Sequence, residues 1–278
     1  MRPLASARVA PVAWTRVLGG AVLALVSAVG VAFLSLPLLA LLLRVPLGEL
    51  GHYLSLPAVR DALRLSAISS SVSLGLMLLF GTPLAYGLGR YQFRGKALLE
   101  TLLELPLVLP PAVAGVALLF AFGRRTPLGT LLHNWNSDVA FTLAAVVLAQ
   151  TFVAAPFYIK SARSGFQGVP HELLDAAATQ GAGTGATFRH IVVPLAAPSL
   201  AGGAILGWAR AVGEFGATIL FAGNFPARTQ TLPLAIYTAL EADVNVAIIL
   251  SALLILTSFT VLLVFKAVSG RALEVTPE

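Results

Sequence analysis

The sequence contains no cysteine, which excludes a disulfide scaffold, a thiolate metal site and a cysteine nucleophile. Charge is also scarce, since Asp, Glu, Lys and Arg make up 11% of the 278 residues, whereas soluble domains carry about 25%. Hydrophobic residues reach 58%, and the mean hydropathy is +0.89. These values exclude an ordinary soluble domain and indicate a protein whose surface largely faces membrane lipid.

Motifs for nucleotides, metals and covalent chemistry are missing as well. The only Gly-Lys pair, Gly95-Lys96, is followed by Ala97 and lacks the upstream glycine of a P-loop. His171-Glu172 opens like a zinc-protease motif, but Asp175 stands where the second histidine would be needed. No grouping of nucleophile, base and orienting residue is recognisable. We therefore expect no catalytic residue, no metal and no cofactor in this chain.

Long stretches without charge predict the membrane-spanning helices. About 20 apolar residues cross a hydrocarbon layer of roughly 30 Å, and six stretches are long enough. Residues 215–227 and 229–240 are too short and contain Gly and Pro, so we interpret them as a bent extracytoplasmic connection. A seventh or eighth span is an alternative. The prediction is an all-α integral membrane protein, a single domain 1–278, with helices at about 17–43, 65–89, 98–123, 138–160, 191–214 and 243–267.

The first apolar stretch follows three arginines and resembles a secretory signal. It exceeds the 7–15 residues of a signal's apolar region, and no small-residue cleavage site follows. We therefore expect it to be a retained helix.

The distribution of basic residues predicts the orientation. With the amino terminus inside, eleven basic residues are cytoplasmic and six are not, while Arg210 lies within or near the membrane. Both termini are then cytoplasmic, and topology explains the net charge of +6 without nucleic acid. The cytoplasmic residues are Arg2, Arg8, Arg16, Arg90, Arg94, Lys96, Lys160, Arg163, Arg189, Lys266 and Arg271; the others are Arg44, Arg60, Arg64, Arg124, Arg125 and Arg228.

The longest cytoplasmic connection, residues 161–190, carries signals for a short helix. Pro170 suits the first helical position, and Glu172 favours the helix dipole. Gly181 is a natural stop. A second turn at 184–190 follows, and the chain enters the membrane at Pro194. Such a loop is expected to dock on a partner, with Leu173, Leu174 and Ala177 available for contact.

This loop resembles the EAA loop of permease subunits in ATP-binding cassette importers. That family's pattern is Glu-Ala-Ala-x3-Gly-x9-Ile-x-Leu-Pro, and every spacing agrees. Asp175 replaces Glu, and Val193 replaces Leu, both conservatively. The matching positions are Asp175, Ala176, Ala177, Gly181, Ile191 and Pro194.

The resemblance implies the type I fold of an importer permease in the cytoplasmic membrane of a prokaryote. It implies a homodimer docked to two copies of an ABC ATPase, with the loop seated in a groove of each ATPase subunit. It also implies an extracytoplasmic binding protein. Since the chain has no P-loop, the ATPase must be another chain. A loop that merely caps its own helical bundle is the alternative.

Three further segments resemble the molybdate and tungstate permeases: residues 105–115, 208–224 and 229–241. The implied partner is an extracytoplasmic molybdate-binding protein. Sulfate permeases share Gly213 to Ala217 and a Thr-x-Thr-Leu-Pro segment, so sulfate or another oxyanion remains open.

Arg210, Glu214, Phe215 and Asn224 are the candidate residues of the translocation path or gate. Arg210 and Glu214 are four residues apart and can pair on one helix face. Two interpretations remain open for this pair: an electropositive element of an anion path, or an internal ion pair that holds the fifth helix.

Two further features have alternatives. Glu100 and Glu104 lie four residues apart and are either a proton-relay pair or members of interfacial ion pairs. Gly203 and Gly207 belong to a small-residue face that we expect near a dimer axis. Rival functions are a proton-coupled secondary transporter using Glu104, Arg210 and Glu214, and a membrane-embedded enzyme or structural scaffold.

Overall fold

The computed structural model of the chain describes residues 13–135 and 137–273, with side-chain surroundings for 22–135 and 137–263. Arg2 and Arg8 lie outside these residues. All regular secondary structure in the described ranges is helical, as expected. The helices are α1 (Ala13–Leu42), α2 (Leu50–Ser55), α3 (Pro57–Arg90), α4 (Lys96–Val108), α5 (Pro111–Phe122), α6 (Pro127–Asn134), α7 (Leu143–Gln167), α8 (His171–Thr179), α9 (Thr184–Thr187), α10 (Val193–Val212), α11 (Gly216–Phe221), α12 (Leu232–Ala242) and α13 (Val244–Leu273).

The chain divides into two compact units, residues 1–45 and 46–278. The first unit contributes α1, whose segment Val22–Leu42 has a mean hydropathy of 2.5. In the second unit, α3, α7 and α10 pack together, and α12 packs on α13.

Five helices in the described ranges are long and apolar enough to cross a membrane, or six if α4 and α5 together form one span. Each of the six predicted stretches overlaps one of these spans. Helix α12 has eleven residues and is too short to cross, in agreement with a connection rather than a seventh span. The all-α membrane fold expected from the sequence is therefore confirmed.

The third predicted span, 98–123, is not one helix. Helices α4 and α5 are bent by 118° where Leu109 and Pro110 adopt extended backbone conformations. Proline lacks an N–H group, and its ring disfavours the helical region for the preceding residue. The Pro110-Pro111 pair therefore ends α4, while Pro111 starts α5 in its first turn.

Two glycines of the small-residue face of α10 pack inside the chain. A Cβ atom on Gly203 would lie 2.8 Å from the Cβ of Ser161 on α7. A Cβ atom on Gly207 would lie 3.2 Å from the sulfur of Met77 on α3. These glycines therefore allow α10 to approach α7 and α3 closely, and the place of the whole face near a dimer axis stays a prediction.

The acidic pair on α4 forms ion pairs with α7. Arg163 NH2 lies 2.9 Å from Glu100 Oε1, and Lys160 Nζ lies 3.5 Å from Glu104 Oε1. Lys96 is a more distant partner of Glu100, at 3.9 Å. This geometry favours the ion-pair interpretation of Glu100 and Glu104 over a proton relay.

Candidate functional site

Helix α8 is a short helix with a defined start and stop. Pro170 is the N-cap residue, so the helix begins at His171, one position later than predicted. At the other end Gly181 has a φ of +78°, the left-handed conformation that glycine adopts without strain. Its N–H group donates to Ala178 O at 3.0 Å, and the N–H group of Ala182 donates to Ala177 O at 2.9 Å. These two bonds form a Schellman motif, so the predicted stop at Gly181 is present.

We expect valine at position 181 to disturb this end of α8. A left-handed conformation costs a non-glycine residue about 1–2 kcal/mol, and a β-branched side chain fits it poorly. Under the coupling role that the resemblance implies for this loop, Gly181→Val should reduce transport several-fold while membrane insertion stays normal, as measured by uptake and by quantifying the chain in membranes. Gly183→Val is the matched control, because Gly183 has an extended backbone and open space around it. Equal losses in both variants would contradict a role for the left-handed turn.

The base of α8 is anchored to the helical core. Val169, just before the helix, is 2% exposed, and its carbonyl accepts a hydrogen bond from Arg90 NH2 at 2.9 Å. The ring of Tyr86 on α3 lies 5.3 Å from that of Phe166 and 5.0 Å from that of Phe188. Because these rings come from before and after α8, the loop is held at both of its ends.

The outward face of α8 differs from the expected one. Leu174 packs against the core, and Ala177 is 8% exposed, so neither is available to a partner. Leu173 is exposed, as expected, and so are Asp175 and Ala176. The helix uses Leu174 and Ala177, three residues apart, to dock on its own chain.

The chain returns from α8 into the membrane as one continuous helical segment, Thr184–Val212, of 29 residues. A π-helical turn, Phe188–Val192, lies within it and contains the half-buried Ile191. Pro194 directly follows this π-helical turn, at the start of α10. The segment therefore joins the loop directly to Arg210 near its far end.

Arg210 and Glu214 form an ion pair at that end. Arg210 NH1 lies 2.7 Å from Glu214 Oε2, and Glu214 Oε1 accepts the N–H of Ala217 at 2.8 Å. The Glu214 side chain is 1% exposed, whereas 30% of the Arg210 side chain is exposed. Glu214 thus joins the end of α10 to the first turn of α11, and Arg210 keeps part of its surface open.

Phe215 and Asn224 both contact the segment around α12. The ring of Phe215 lies 5.5 Å from that of Tyr237. Asn224 Nδ2 donates to Thr238 Oγ1 at 2.9 Å, and Gln230 Nε2 donates to the same oxygen at 3.3 Å. The four predicted gate residues therefore lie on or next to α10, α11 and their contacts with α12.

Sequence reasoning did not single out Thr238, Gln230 or Ser66. Ser66 Oγ on α3 accepts the N–H of Leu232 at 2.7 Å and so ties α12 to α3. The signal that could have found them is the clustering of polar residues within an otherwise apolar chain. Buried polar groups need hydrogen-bond partners, so such a cluster predicts contacts among its members.

The fold and these two regions define a multi-span helical membrane protein with a structured loop between two of its spans. Residues 78–274 match the family described as binding-protein-dependent transport system inner membrane component. The chain belongs to this family.

Relatives cover most of the chain. It is 39% identical over 234 residues to the molybdenum transport system permease protein ModB of Mycobacterium tuberculosis, covering 84% of this chain and 89% of that protein. It is 42% identical over 182 residues to ModB of Escherichia coli, covering 65% and 80%. A probable transport system permease protein, NifC of Clostridium pasteurianum, is 40% identical over 205 residues, covering 73% and 71%.

Solved structures support the fold. A chain of a bacterial ABC transporter involved in alginate import superposes with a TM-score of 0.72 at 15% identity, covering 91% of this chain and 95% of that chain. A chain of the MetNI methionine ABC transporter gives 0.56 at 18% identity, covering 77% and 94%. At these identities the likeness establishes the type I importer permease fold and nothing about substrate.

Proposed function

We propose that this chain is the permease subunit of an ATP-driven importer that moves molybdate or tungstate into the cytoplasm. In this proposal it works as a homodimer with two copies of a separate ABC ATPase and an extracytoplasmic oxyanion-binding protein. The assignment of the substrate rests on the sequence identity of about 40%, over most of the chain, to permeases named for molybdenum transport.

The geometry of the loop supports energy input from a partner. Helix α8 presents Leu173, Asp175 and Ala176 outward, while its base is fixed by aromatic and backbone contacts. A rigidly attached helix transmits a push from a partner, whereas a flexible tether absorbs it. The family's coupling role is therefore proposed for α8.

The continuous segment Thr184–Val212 supports a direct mechanical link. At 1.5 Å per residue, its 29 residues span roughly 43 Å. Movement of α8 by the ATPase would tilt this segment and displace the Arg210–Glu214 pair at its end. Because Glu214 also holds the first turn of α11, displacement would reach the gate residues.

Weak contact with the anion suits a permease, since tight binding would prevent release. Arg210 is neutralised by Glu214 yet partly exposed, so it offers modest attraction without a strong site. Asn224 has its amide nitrogen engaged with Thr238. We assign the Arg210–Glu214 pair mainly to holding the gate, with Arg210 adding a secondary attraction for anions.

The rival proton-coupled mechanism has less support. The three carboxylates that the sequence offered for proton transfer, Glu100, Glu104 and Glu214, each lie within 4 Å of a basic side chain. Each carboxylate therefore has a structural partner, which favours the ion-pair interpretation over a proton relay.

Competitive uptake tests the function. Labelled molybdate uptake is measured in cells without their own molybdate transporter that carry this chain, its ATPase and its binding protein. We expect tungstate to compete and sulfate to compete weakly. If sulfate competed as well as tungstate, the assignment of molybdate or tungstate as the substrate would be contradicted. Uptake that survives ATP depletion but collapses with an uncoupler would contradict the ATP-driven mechanism.

A further inference from the structure

Helix α6 lies between α5 and α7 on the predicted extracytoplasmic side. It begins after Thr126, whose Oγ1 accepts the N–H of Gly129 at 3.0 Å, and Pro127 occupies its first turn. Only residues 123–126 separate it from α5. A Cβ atom on Gly129 would collide with the carbonyl oxygen of Gly123, so α6 packs closely on the end of α5. This attachment keeps α6 next to the end of α5.

One face of α6 is apolar and open. Leu128 and Leu131 lie on α6, and Trp135 directly follows its last residue; their spacing of three and four residues places the three on one side. They expose 42%, 48% and 69% of their surfaces. Three large apolar side chains grouped on one side of so short a segment indicate a surface that contacts lipid or another protein.

The other face of α6 is polar and is tied to the end of α5. Asp138 Oδ2 accepts a hydrogen bond from Arg124 NH2 at 2.6 Å, and Asp138 Oδ1 lies 3.0 Å from His133 Nδ1. Thr130 Oγ1 donates to the carbonyl of Arg124 at 3.2 Å. The hydrogen bond from Arg124 lowers the pKa of Asp138 against a smaller opposing effect of burial, and His133 adds to the lowering. The carboxylate therefore stays charged at neutral pH and links Arg124, just after α5, to His133 on α6.

We propose that α6 lies in the headgroup layer of the outer leaflet, with Leu128, Leu131 and Trp135 at the boundary with the acyl chains. An amphipathic helix with this division of faces is typical of the membrane interface. Tryptophan is enriched at that depth. The exposed Arg125 next to the helix supplies a positive charge for lipid phosphates. Lipid acyl chains therefore suit the apolar face, and lipid phosphates suit the neighbouring positive charge of Arg125.

This anchor sets the depth of α5. With twelve residues, α5 is roughly 18 Å long, well short of a hydrocarbon layer of about 30 Å. A Cβ atom on Gly115 of α5 would lie 2.7 Å from the carbonyl oxygen of Ala217, so α5 packs tightly on α11. Holding α6 at the interface thus also positions α11, the helix that Glu214 caps.

Spin labels test the placement, because the native chain has no cysteine to remove. Leu131→Cys and Leu128→Cys report the apolar face, and Thr130→Cys is the matched control on the polar face. Each full-length variant is labelled and reconstituted with its ATPase in vesicles of phosphatidylethanolamine and phosphatidylglycerol. Accessibility to oxygen, which concentrates in lipid, is compared with accessibility to a water-soluble nickel complex.

We expect the oxygen-to-nickel ratio at positions 131 and 128 to exceed that at position 130 by at least about threefold. Equal ratios at the three positions would place α6 in water and overturn the proposal. Low accessibility to both reagents at 131 and 128 would show that protein covers this face and would also overturn it.

Discussion

Ala176→Arg should abolish ATP-driven uptake while the chain still folds and inserts. Ala176 is exposed in the middle of α8, and arginine is a good helix former, so the helix itself should persist. A long charged side chain on the face that we propose seats in a partner groove would instead block close contact. We expect uptake to fall more than about tenfold, a loss of at least 1.4 kcal/mol in coupling. The measurement is uptake together with the amount of ATPase that copurifies with the chain.

The matched control for this prediction is Gln92→Arg. Gln92 is exposed on the same predicted side of the membrane, in the connection between α3 and α4, and lies outside the coupling loop. The Gln92→Arg substitution adds the same charge without altering α8, so uptake should remain near that of the unmodified chain. Normal uptake in Ala176→Arg would contradict the docking role of α8. If both variants lost uptake equally, the added charge alone would explain the effect.

Arg210→Met should destabilise the chain strongly, and adding Glu214→Gln should restore most of the stability. Glu214 is 1% exposed, so removing Arg210 leaves a buried carboxylate without its partner. Breaking a buried ion pair in this way costs roughly 3–5 kcal/mol, whereas replacing both charges is often neutral. Glutamine at 214 keeps a carbonyl oxygen that can accept the N–H of Ala217. Thermal unfolding of the purified single and double variants measures the difference.

Uptake by the double variant distinguishes the two roles of the pair. Because we assign the pair mainly to holding the gate, we expect uptake to recover along with stability. Glu214→Gln alone is the companion control, since it retains Arg210 and the hydrogen bond to Ala217. A double variant that is stable but inactive would contradict the structural assignment and would make the Arg210 charge a required part of the anion path.

The membrane spans were predictable because crossing lipid is a local property of the chain. A segment needs about 20 apolar residues wherever the rest of the protein lies. The angle of the bend between α4 and α5, 118°, could not be predicted from the sequence. Pro110 and Pro111 permit a break, but packing of Gly115 against the backbone of Ala217 determines where α5 goes.

The candidate site divides in the same way. The stop at Gly181 and the pairing of Arg210 with Glu214 depend on neighbours within one turn or two, and both were predicted from spacing. The outward face of α8 was predicted correctly for Leu173 and wrongly for Leu174 and Ala177, which pack on the chain's own core.

By itself, the sequence determined the helical membrane class, the six spanning stretches, the loop with its short helix, and the resemblance to importer permeases. These follow from hydropathy, charge and residue spacing along the chain. Only the tertiary structure decided which face of α8 is free, that Gly203 and Gly207 pack within one chain, and that Asn224 meets Thr238. Such contacts join residues far apart in sequence, so their energies depend on how the helices pack and not on any local pattern.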